Sequence, residues 1–513
     1  MIKTIKKYWD EKPLLLILIA AAFFRLLAAV FSKGYGMHDD HFLVIEIAQS
    51  WVDRCYENWL PFDGSSITYP SGHSLFYPGL HFLLFRLLEH WNVLDPQVKM
   101  LYVRLLHALF SLLTVYYAYR IAGFYSGVKV ARSVGIILAL LWFMPMLSVR
   151  NLVEVVCVPF LLIPTWFIVK NKKTELFSLY FFAGLIAGIA FSIRFQSSLF
   201  ITGMGLVLLF EKRWKAIFAF ATGVVITVGL IQGLTDFIIW KRPLAEFMEY
   251  VHFNATHPND FVTHGWETYP LLISCIILPP IGLFFWFGYF RNWRKQLILF
   301  LPSFLFFIFH SSFPNKQERF IFPFIPFFIL LGSIGWSEFV SSSAFWNKRR
   351  TLLKACWIFF WALNTAPLLV ISVAYSKRNR VESMTYLSHK TVRTLLIDDS
   401  NNESIIMPPL FYMRKFQSNA WGIIPVTKNH DAKAAYTDVM SLDKTKFPNY
   451  VIFWSAENID SRVDSLKKYF PSLKPEAVIE PGLVDKIVHF LNPVNDNQTT
   501  YIYSIDAKDY EKK

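Results

Sequence analysis

Apolar runs of membrane-spanning length recur through the first three quarters of this 513-residue chain. A helix needs about 20 mostly apolar residues to cross a bilayer. The pattern therefore predicts an α-helical polytopic membrane protein with about eleven spans of roughly 17–25 residues. The predicted spans lie near 14–31, 98–121, 130–147, 152–170, 176–192, 195–210, 215–239, 269–290, 296–312, 319–339 and 351–374. The fifth and sixth, 176–192 and 195–210, can also be interpreted as a broken or re-entrant pair.

Basic residues form short clusters between these apolar runs, and the formal net charge is +14. Such clusters set the orientation of a membrane protein, so we do not interpret them as a nucleic-acid-binding surface. With eleven spans, all of them fall on one side, which is then cytoplasmic. The outer side holds loop 32–97, loop 240–268, the loop 311–318 and the C-terminal tail. Because the unusual polar residues concentrate there, we expect the chemistry outside the cytoplasm.

The ends of the chain indicate further features. The N-terminus is basic, and no small-residue cleavage motif follows the run Leu14–Phe31, so we expect a retained first helix. The composition becomes polar near Ser376, where a small soluble α/β domain is predicted over residues 376–513, next to a membrane domain of residues 1–375. Its strand-like runs are Ser404–Met407, Tyr450–Trp454 and Tyr501–Tyr503, with a helical pattern over Ser461–Tyr469.

The four cysteines are far apart and have no spacing typical of a metal site. They are Cys55, Cys157, Cys275 and Cys356. We therefore expect neither a structural zinc nor a disulfide framework.

The segment His38-Asp39-Asp40-His41 places two carboxylates and two imidazoles shortly after the first apolar run. Asp39 alone would be interpreted as a helix N-cap. Asp40 and Glu46 follow on the same short helix, however, and Glu46 lies two turns after Asp39 on the same face. Carboxylates at the water edge of a membrane protein suit proton transfer. A metal site of His38, Asp40 and His41 is the alternative, although no distant His or Cys cluster completes a ligand shell.

Three cations also stand out. Lys316 and Arg319 lie at the start of a predicted span, where one face of a helix N-terminus would form a phosphate site. Interfacial snorkelling is the alternative, although snorkelling cations are favoured on the cytoplasmic side. Arg194 lies deep in apolar sequence, and an intramembrane arginine is a functional candidate because it is costly.

Four segments, in the same order along the chain, resemble glycosyltransferase family 22, which contains the mannosyltransferases of GPI-anchor and N-glycan assembly. Residues 39–42, Asp-Asp-His-Phe, with Glu46, resemble the family's Asp-Glu-Tyr/His-Phe/Trp…Glu pattern. Residues 254–258, Asn-Ala-Thr-His-Pro, are similar to its Tyr-Gly-Thr-His-Pro segment. Residues 315–320, Asn-Lys-Gln-Glu-Arg-Phe, are similar to its His-Lys-Glu-x-Arg-Phe segment, and residues 73–78 to its Leu-Arg-Ser-Tyr-x-Tyr-Pro.

The resemblance covers residues 25–335 and leaves the tail from Ser376 uncovered. It implies the GT-C fold, an active site on the outer face and inversion at the anomeric carbon, without an essential metal or cofactor. The implied donor is a polyprenyl-phosphate sugar, with mannose expected, and the acceptor is a glycan or glycolipid. Asp40 stands where the family has Glu, His38 where it has Pro and Asn315 where it has His, so the donor or acceptor could differ from the family's.

The resemblance and the residue pattern together assign roles. Asp39 is the expected general base, supported by Asp40 and Glu46. The donor phosphate would contact Lys316, Arg319, His257 and Arg194. Residues expected around the acceptor are His38, His41, Tyr69, His73 and Glu318. The segment Thr68–Pro78 that carries two of these can equally be an interfacial amphipathic helix.

A lipid or oligosaccharide transporter is the alternative function. Transporters tend to contain repeated halves with matching broken helices, which the sequence does not show, and the acidic segment argues against a non-catalytic scaffold. We expect a bacterial inner-membrane protein with a periplasmic site, or else an endoplasmic reticulum protein with a luminal site.

Overall fold

The computed structural model describes residues 2–54, 60–61, 67–174, 176–260, 263–414, 422–493, 495 and 497–510. Cys55 lies outside these residues. The chain forms two compact units. The helical unit comprises the described residues of 1–30, 59–80 and 102–373, and the mixed unit those of 31–58, 81–101 and 374–513. The mixed unit therefore resumes close to the predicted boundary at Ser376 and also takes in parts of the predicted outer loop 32–97.

Helices dominate the first unit. Within the described residues, six are long and apolar enough to cross a membrane, namely Pro13–Phe31, Pro96–Leu140, Val153–Lys170, Trp214–Trp240, Phe324–Ser342 and Arg350–Ile371. Three shorter apolar helices are Phe177–Ile193, Phe195–Phe210 and Leu297–Ser312. The remaining α-helices of this unit are Ile2–Glu11, Met144–Leu147, Ala245–Thr256, Thr268–Ile276, Ile281–Arg291 and Ala344–Lys348. The helix Phe76–His90 begins in this unit, and its residues from His81 belong to the mixed unit. The count of eleven spans stays a prediction.

Four predicted spans differ from the helices that form. The runs 98–121 and 130–147 belong largely to one element, Pro96–Leu140, which is interrupted at Gly127, where φ is 74°. The run 269–290 is divided at Pro279 and Pro280, because proline lacks the N–H that a continuous helix requires. The predicted span from 319 begins only at Phe324, after a 3₁₀ turn and directly after Pro323. The fixed φ and missing N–H of a proline are well tolerated at the start of a helix.

The fifth and sixth predicted spans form a broken pair. Arg194 has extended backbone, with φ −147° and ψ 112°, between Phe177–Ile193 and the following turn. The first of these helices packs closely against Trp214–Val228 through glycines. A Cβ at Gly184 would lie 2.1 Å from the Phe220 carbonyl oxygen, so only glycine permits this approach.

The mixed unit contains a five-stranded sheet, which confirms the predicted small α/β element. The strands are β1 Leu395–Asp398, β2 Ile423–Val426, β3 Tyr450–Phe453, β4 Lys474–Ile479 and β5 Thr500–Ser504, in the order β2-β1-β3-β5-β4. β1 pairs in parallel with β2 and β3, and β5 pairs antiparallel with β3 and β4. The helices of this unit are His38–His41, Ile47–Val52, Arg378–Ser388, Ala432–Ser441, Ile459–Lys467 and Leu483–Leu491.

Of the elements predicted for the C-terminal region, two strands and one helix are confirmed, and the prediction of a third strand is wrong. The runs from Tyr450 and Tyr501 lie in β3 and β5, and the helical pattern matches Ile459–Lys467. Ser404–Met407 is not a strand. It leads directly into Pro408 and Pro409, which cannot donate to a sheet ladder, and the Ile406 N–H donates instead to the Asp399 carboxylate at 2.9 Å.

Candidate active site

The two adjacent carboxylates of the acidic segment have different positions. Asp40 is buried, and its two oxygens accept hydrogen bonds from the Gly36 and Met37 N–H groups at 2.9 and 3.1 Å. The capping role considered for Asp39 therefore belongs to Asp40. Asp39 is half-buried on the same turn. Asp40 thus holds the loop through these two hydrogen bonds, and Asp39 does not make them.

Glu46 and His41 form a pair in this segment. His41 is 1% exposed, and its Nε2 lies 2.9 Å from Glu46 Oε1, which also accepts from the Phe411 N–H at 2.9 Å. The His41 ring stacks between Tyr35 and Tyr412, with centroids 4.7 and 5.5 Å away. Glu46 thus joins the acidic segment to residues near 411. The spacing argument from Asp39 needs correction, because residues Phe42–Glu46 form a π turn rather than α-helix.

His38 lies near the charges of Asp39, Lys377 and Arg380. Its ring stacks on Phe42, with centroids 4.3 Å apart, and remains partly exposed. Partial burial lowers the pKa of His38, the charge of Asp39 opposes that shift, and Lys377 and Arg380 add to it. Lys377 also lies over the Tyr35 ring at 4.3 Å. These two cations were not among the predicted site residues, although the basic run at 377–380 marks the composition change near Ser376.

The alternative metal site is not assembled in the described part of the chain. There, no group of three or more His, Cys, Asp or Glu side chains is arranged to hold a metal ion. Both oxygens of Asp40 bind backbone N–H groups, and His41 pairs with Glu46. Two of the three proposed ligands, Asp40 and His41, are therefore held by other partners.

The helical unit contains a buried charge cluster around Glu154, a residue that sequence reasoning missed. Glu154 Oε1 lies 2.8 Å from Arg194 Nη1 and 3.7 Å from Arg319 Nη1. Glu154 and Arg194 are each 3% exposed, and Arg319 is 6% exposed. Arg194 also donates to the Phe320 carbonyl at 3.2 Å. The signal available in the sequence was a single glutamate at the start of an apolar run. Two cations and one carboxylate leave this cluster with an excess positive charge.

Lys316 lies in the loop next to this cluster and is 5% exposed. Its Nζ donates to the carbonyls of His264 and Phe313, and burial lowers its pKa, although Glu267 opposes the shift. The expectation of one helical face with Arg319 is wrong, because Lys316 is not helical and Arg319 lies in a 3₁₀ turn. The two cations are nevertheless close in sequence and both are buried.

The other predicted site residues of this unit are exposed. His257 stacks on Phe253, with centroids 4.9 Å apart, and Glu318, Tyr69 and His73 lie at the surface.

A polar network that the sequence did not indicate supports the segment carrying Tyr69 and His73. The buried Glu246 carboxylate accepts from the Leu75 N–H at 3.1 Å and from Gln232 at 2.6 Å, and Ser74 donates to Gln232 at 2.8 Å. Burial, and secondarily the charge of Asp236, raises the pKa of Glu246 to about 8. The segment is thus an ordered loop rather than an interfacial helix before Phe76.

Comparisons with known proteins agree with this architecture. The structure of ArnT from Cupriavidus metallidurans in the apo state has a TM-score of 0.62 at 12% identity, covering 98% of this chain and 99% of that one. The structure of ArnT from the same organism bound to undecaprenyl phosphate has a TM-score of 0.60 at 12% identity, covering 96% of this chain and 98% of that one. The structure of the Archaeoglobus fulgidus oligosaccharyltransferase in complex with Zn and sulfate has a TM-score of 0.50 at 10% identity, covering 90% of this chain and 72% of that one. These likenesses show the GT-C fold.

The sequence comparison identifies the family. A search of curated proteins finds no match. The model of the Alg9-like mannosyltransferase family matches residues 16–405, which is most of the chain and extends beyond the segments noted above. This confirms the resemblance to glycosyltransferase family 22. The chain therefore belongs to the Alg9-like mannosyltransferase family and is an integral-membrane glycosyltransferase.

Proposed function

We propose that this enzyme transfers a sugar, with mannose as the expected one, from a polyprenyl-phosphate carrier to a hydroxyl group of a glycan or glycolipid. The family is one of mannosyltransferases. A polyprenyl-phosphate donor is supported by ArnT, which shares the fold and has been solved with undecaprenyl phosphate bound. The division of roles between Asp39 and Asp40 carries the assignment of the base.

Asp39 is our general base. Asp40 is occupied by two backbone N–H groups, so its protonation would disrupt the loop. Asp39 lies one residue away on the same turn and is half-buried, and a general base must approach the proton that it removes. Asp40 then positions Asp39 through the backbone. Glu46 acts on the same segment through His41.

The reaction is a single displacement. The acceptor oxygen forms a bond to the anomeric carbon while the bond from that carbon to the phosphate oxygen breaks. The acceptor proton goes to the Asp39 carboxylate, and the electron pair of the broken bond leaves with the polyprenyl phosphate. The product is inverted at the anomeric carbon, and no covalent enzyme intermediate is needed. The leaving phosphate is an anion that cationic side chains can stabilise.

The cluster of Arg194, Arg319 and Glu154 is our candidate for binding the donor phosphate. Glu154 offsets one of the two guanidinium charges, and the excess positive charge favours an anion. Lys316 adds a third buried cation in the adjoining loop. His257 is the weakest member of the proposed donor set, since its described contacts are with Phe253 and Thr256.

Changing Arg319 or Lys316 to Ala should weaken donor use, because each change removes a charge-assisted contact worth about 1.5–3 kcal/mol. The measurement is the donor KM of purified protein with a polyprenyl-phosphate mannose. Arg319→Lys keeps the charge but not the two-pronged geometry, so it should recover only part of the effect. Arg294→Ala, at an exposed arginine, is the control. Normal donor use in the Lys316/Arg319 double variant would assign both residues to helix anchoring alone.

The site is proposed to lie outside the cytoplasm, with a cytoplasmic N-terminus, because the basic clusters share one side in the predicted topology. The bacterial inner membrane with a periplasmic site is the preferred location, and the endoplasmic reticulum is the alternative. A cysteine introduced at Ser376 should react with an impermeant maleimide in intact cells or in bacterial spheroplasts. In a bacterium, labelling only after permeabilisation of the inner membrane would contradict this orientation.

Mass spectrometry of lipid-linked glycans from cells with and without the gene tests the whole proposal. A transferase predicts that one glycan species loses a single sugar when the gene is absent. The transporter alternative predicts unchanged masses in a different membrane leaflet. The family assignment favours the first result.

A further inference from the structure

The mixed unit contains a polar cleft at the carboxyl ends of its parallel strands. The cleft has a volume of about 290 Å³. Pockets that bind small ligands begin at volumes of about 300 Å³, so the cleft is close to the smallest of them. Asp399 follows β1, Lys428 follows β2 and Trp454 follows β3. The chain passes from β1 to β2 on one side of it and then returns to β3 on the other side of β1. The cleft therefore lies at the switch point of the sheet, where open α/β sheets bind ligands.

A buried ion pair holds the floor of the cleft. Arg462 Nε donates to Asp398 at 2.6 Å, and the side chains are 5% and 2% exposed. The same guanidinium donates to the Ser455 and Glu457 carbonyls at 3.0 and 3.2 Å. The end of β1 is thereby bound to the loop after β3. The cleft is therefore shaped before any ligand enters, which reduces the ordering cost of binding.

The walls carry amide and hydroxyl groups that are themselves positioned. Asn402 donates to the Asp399 carboxylate at 2.8 Å, Asn401 donates to the Glu457 carbonyl at 3.2 Å, and Ser455 donates to Gln498 at 3.0 Å. A side-chain amide offers both a donor and an acceptor, which matches the neighbouring hydroxyl groups of a sugar ring.

Trp454 adds a donor that has no acceptor. Its side chain is 1% exposed and belongs to the cleft lining, and its Nε1 has no hydrogen-bond partner among the described residues. A buried N–H without an acceptor is costly. A ligand hydroxyl oxygen that reaches Nε1 from the cleft would satisfy it.

The charges of the lining argue against two other ligand classes. Of the lining residues, Asp399 and Glu457 are acidic and Lys428 is basic, so a phosphate or nucleotide would meet more negative than positive charge. The Asp399 oxygens bind Asn402 and the Ile406 N–H, so this carboxylate is poorly placed to coordinate a cation.

We propose that the cleft binds a neutral saccharide of monosaccharide or disaccharide size. Its identification as the glycan part of the acceptor rests on the proposed transferase function, whereas the binding itself does not. The mixed unit then has a recognition role in addition to carrying the acidic segment.

The test uses the full chain in lipid nanodiscs and a panel of neutral disaccharides, namely mannobiose, cellobiose, lactose and N,N′-diacetylchitobiose. Mannose 6-phosphate and inorganic phosphate serve as anionic probes. Saturation-transfer NMR should show binding of at least one neutral member. Trp454→Phe removes the N–H and keeps most of the ring, and Asn401→Ala removes one amide. Each should weaken binding by about 3- to 10-fold. Asn492→Ala, an exposed amide outside the cleft lining, should bind like the unmodified chain.

The outcomes separate this proposal from the transferase function. Asp39→Asn should retain saccharide binding while losing transfer, and Trp454→Phe should raise the acceptor KM. Saccharide binding that depends on Trp454 in a protein without any transferase activity would support the cleft and reject only the acceptor assignment. Binding of no neutral member, equal binding by Trp454→Phe, Asn401→Ala and Asn492→Ala, or preference for the anionic probes would overturn the cleft proposal.

Discussion

Asp39→Asn should lower the turnover of sugar transfer by about 100-fold or more, because the amide cannot accept the acceptor proton at neutral pH. Asn has nearly the shape of Asp and caps helices about as well, so folding should be retained. The backbone caps are made by Asp40 in any case. The measurement is the initial rate with saturating polyprenyl-phosphate sugar, alongside donor binding, which should survive.

Asp40→Asn is the matched comparison one residue away. Its amide nitrogen cannot accept, so one of two backbone hydrogen bonds is lost at a cost of about 0.5–1.5 kcal/mol. We expect lower stability and a milder loss of turnover. Near-normal turnover in Asp39→Asn would end the assignment of the base. EDTA is added in parallel, and strong inhibition by it would restore the metal interpretation of this loop.

Glu154→Gln should destabilise the helical unit by about 3–5 kcal/mol, because it leaves buried guanidinium groups without their counter-charge. Glu154 is 3% exposed and lies 2.8 Å from Arg194. Thermal unfolding of the purified protein in detergent measures the loss. Combining Glu154→Gln with Arg194→Gln removes both charges of the closer pair, and it should recover part of the stability.

The control for this prediction is an exposed ion pair in the same unit. Glu338 pairs with Lys295, with side chains 40% and 63% exposed, and exposed pairs contribute about 0–1 kcal/mol. Glu338→Gln should therefore change the unfolding temperature little. A Glu154→Gln protein that is as stable as Glu338→Gln would show that Glu154 is not the counter-ion of the cluster.

The sequence by itself determined the features that depend on local composition. Apolar runs must leave water wherever they occur, so the membrane class and most of the helices followed from them. The position of the polar C-terminal region and the strands at Tyr450 and Tyr501 followed from local pattern as well. The acidic segment and the motifs around His257 and Lys316 were sufficient to identify the family, since they are short and contiguous.

Only the tertiary structure decided which residues act together. Glu46 meets the Phe411 N–H across 365 residues of chain, and Glu154 joins Arg194 and Arg319 from three separate segments. Which of Asp39 and Asp40 accepts the backbone N–H groups also depended on where the loop at Gly36 folds back. Periodicity describes neighbours along one helix, and it carries no information about which distant segments meet. Buried charges and backbone groups are satisfied by whichever partners the packing brings near, so these partnerships appear only when the chain is folded.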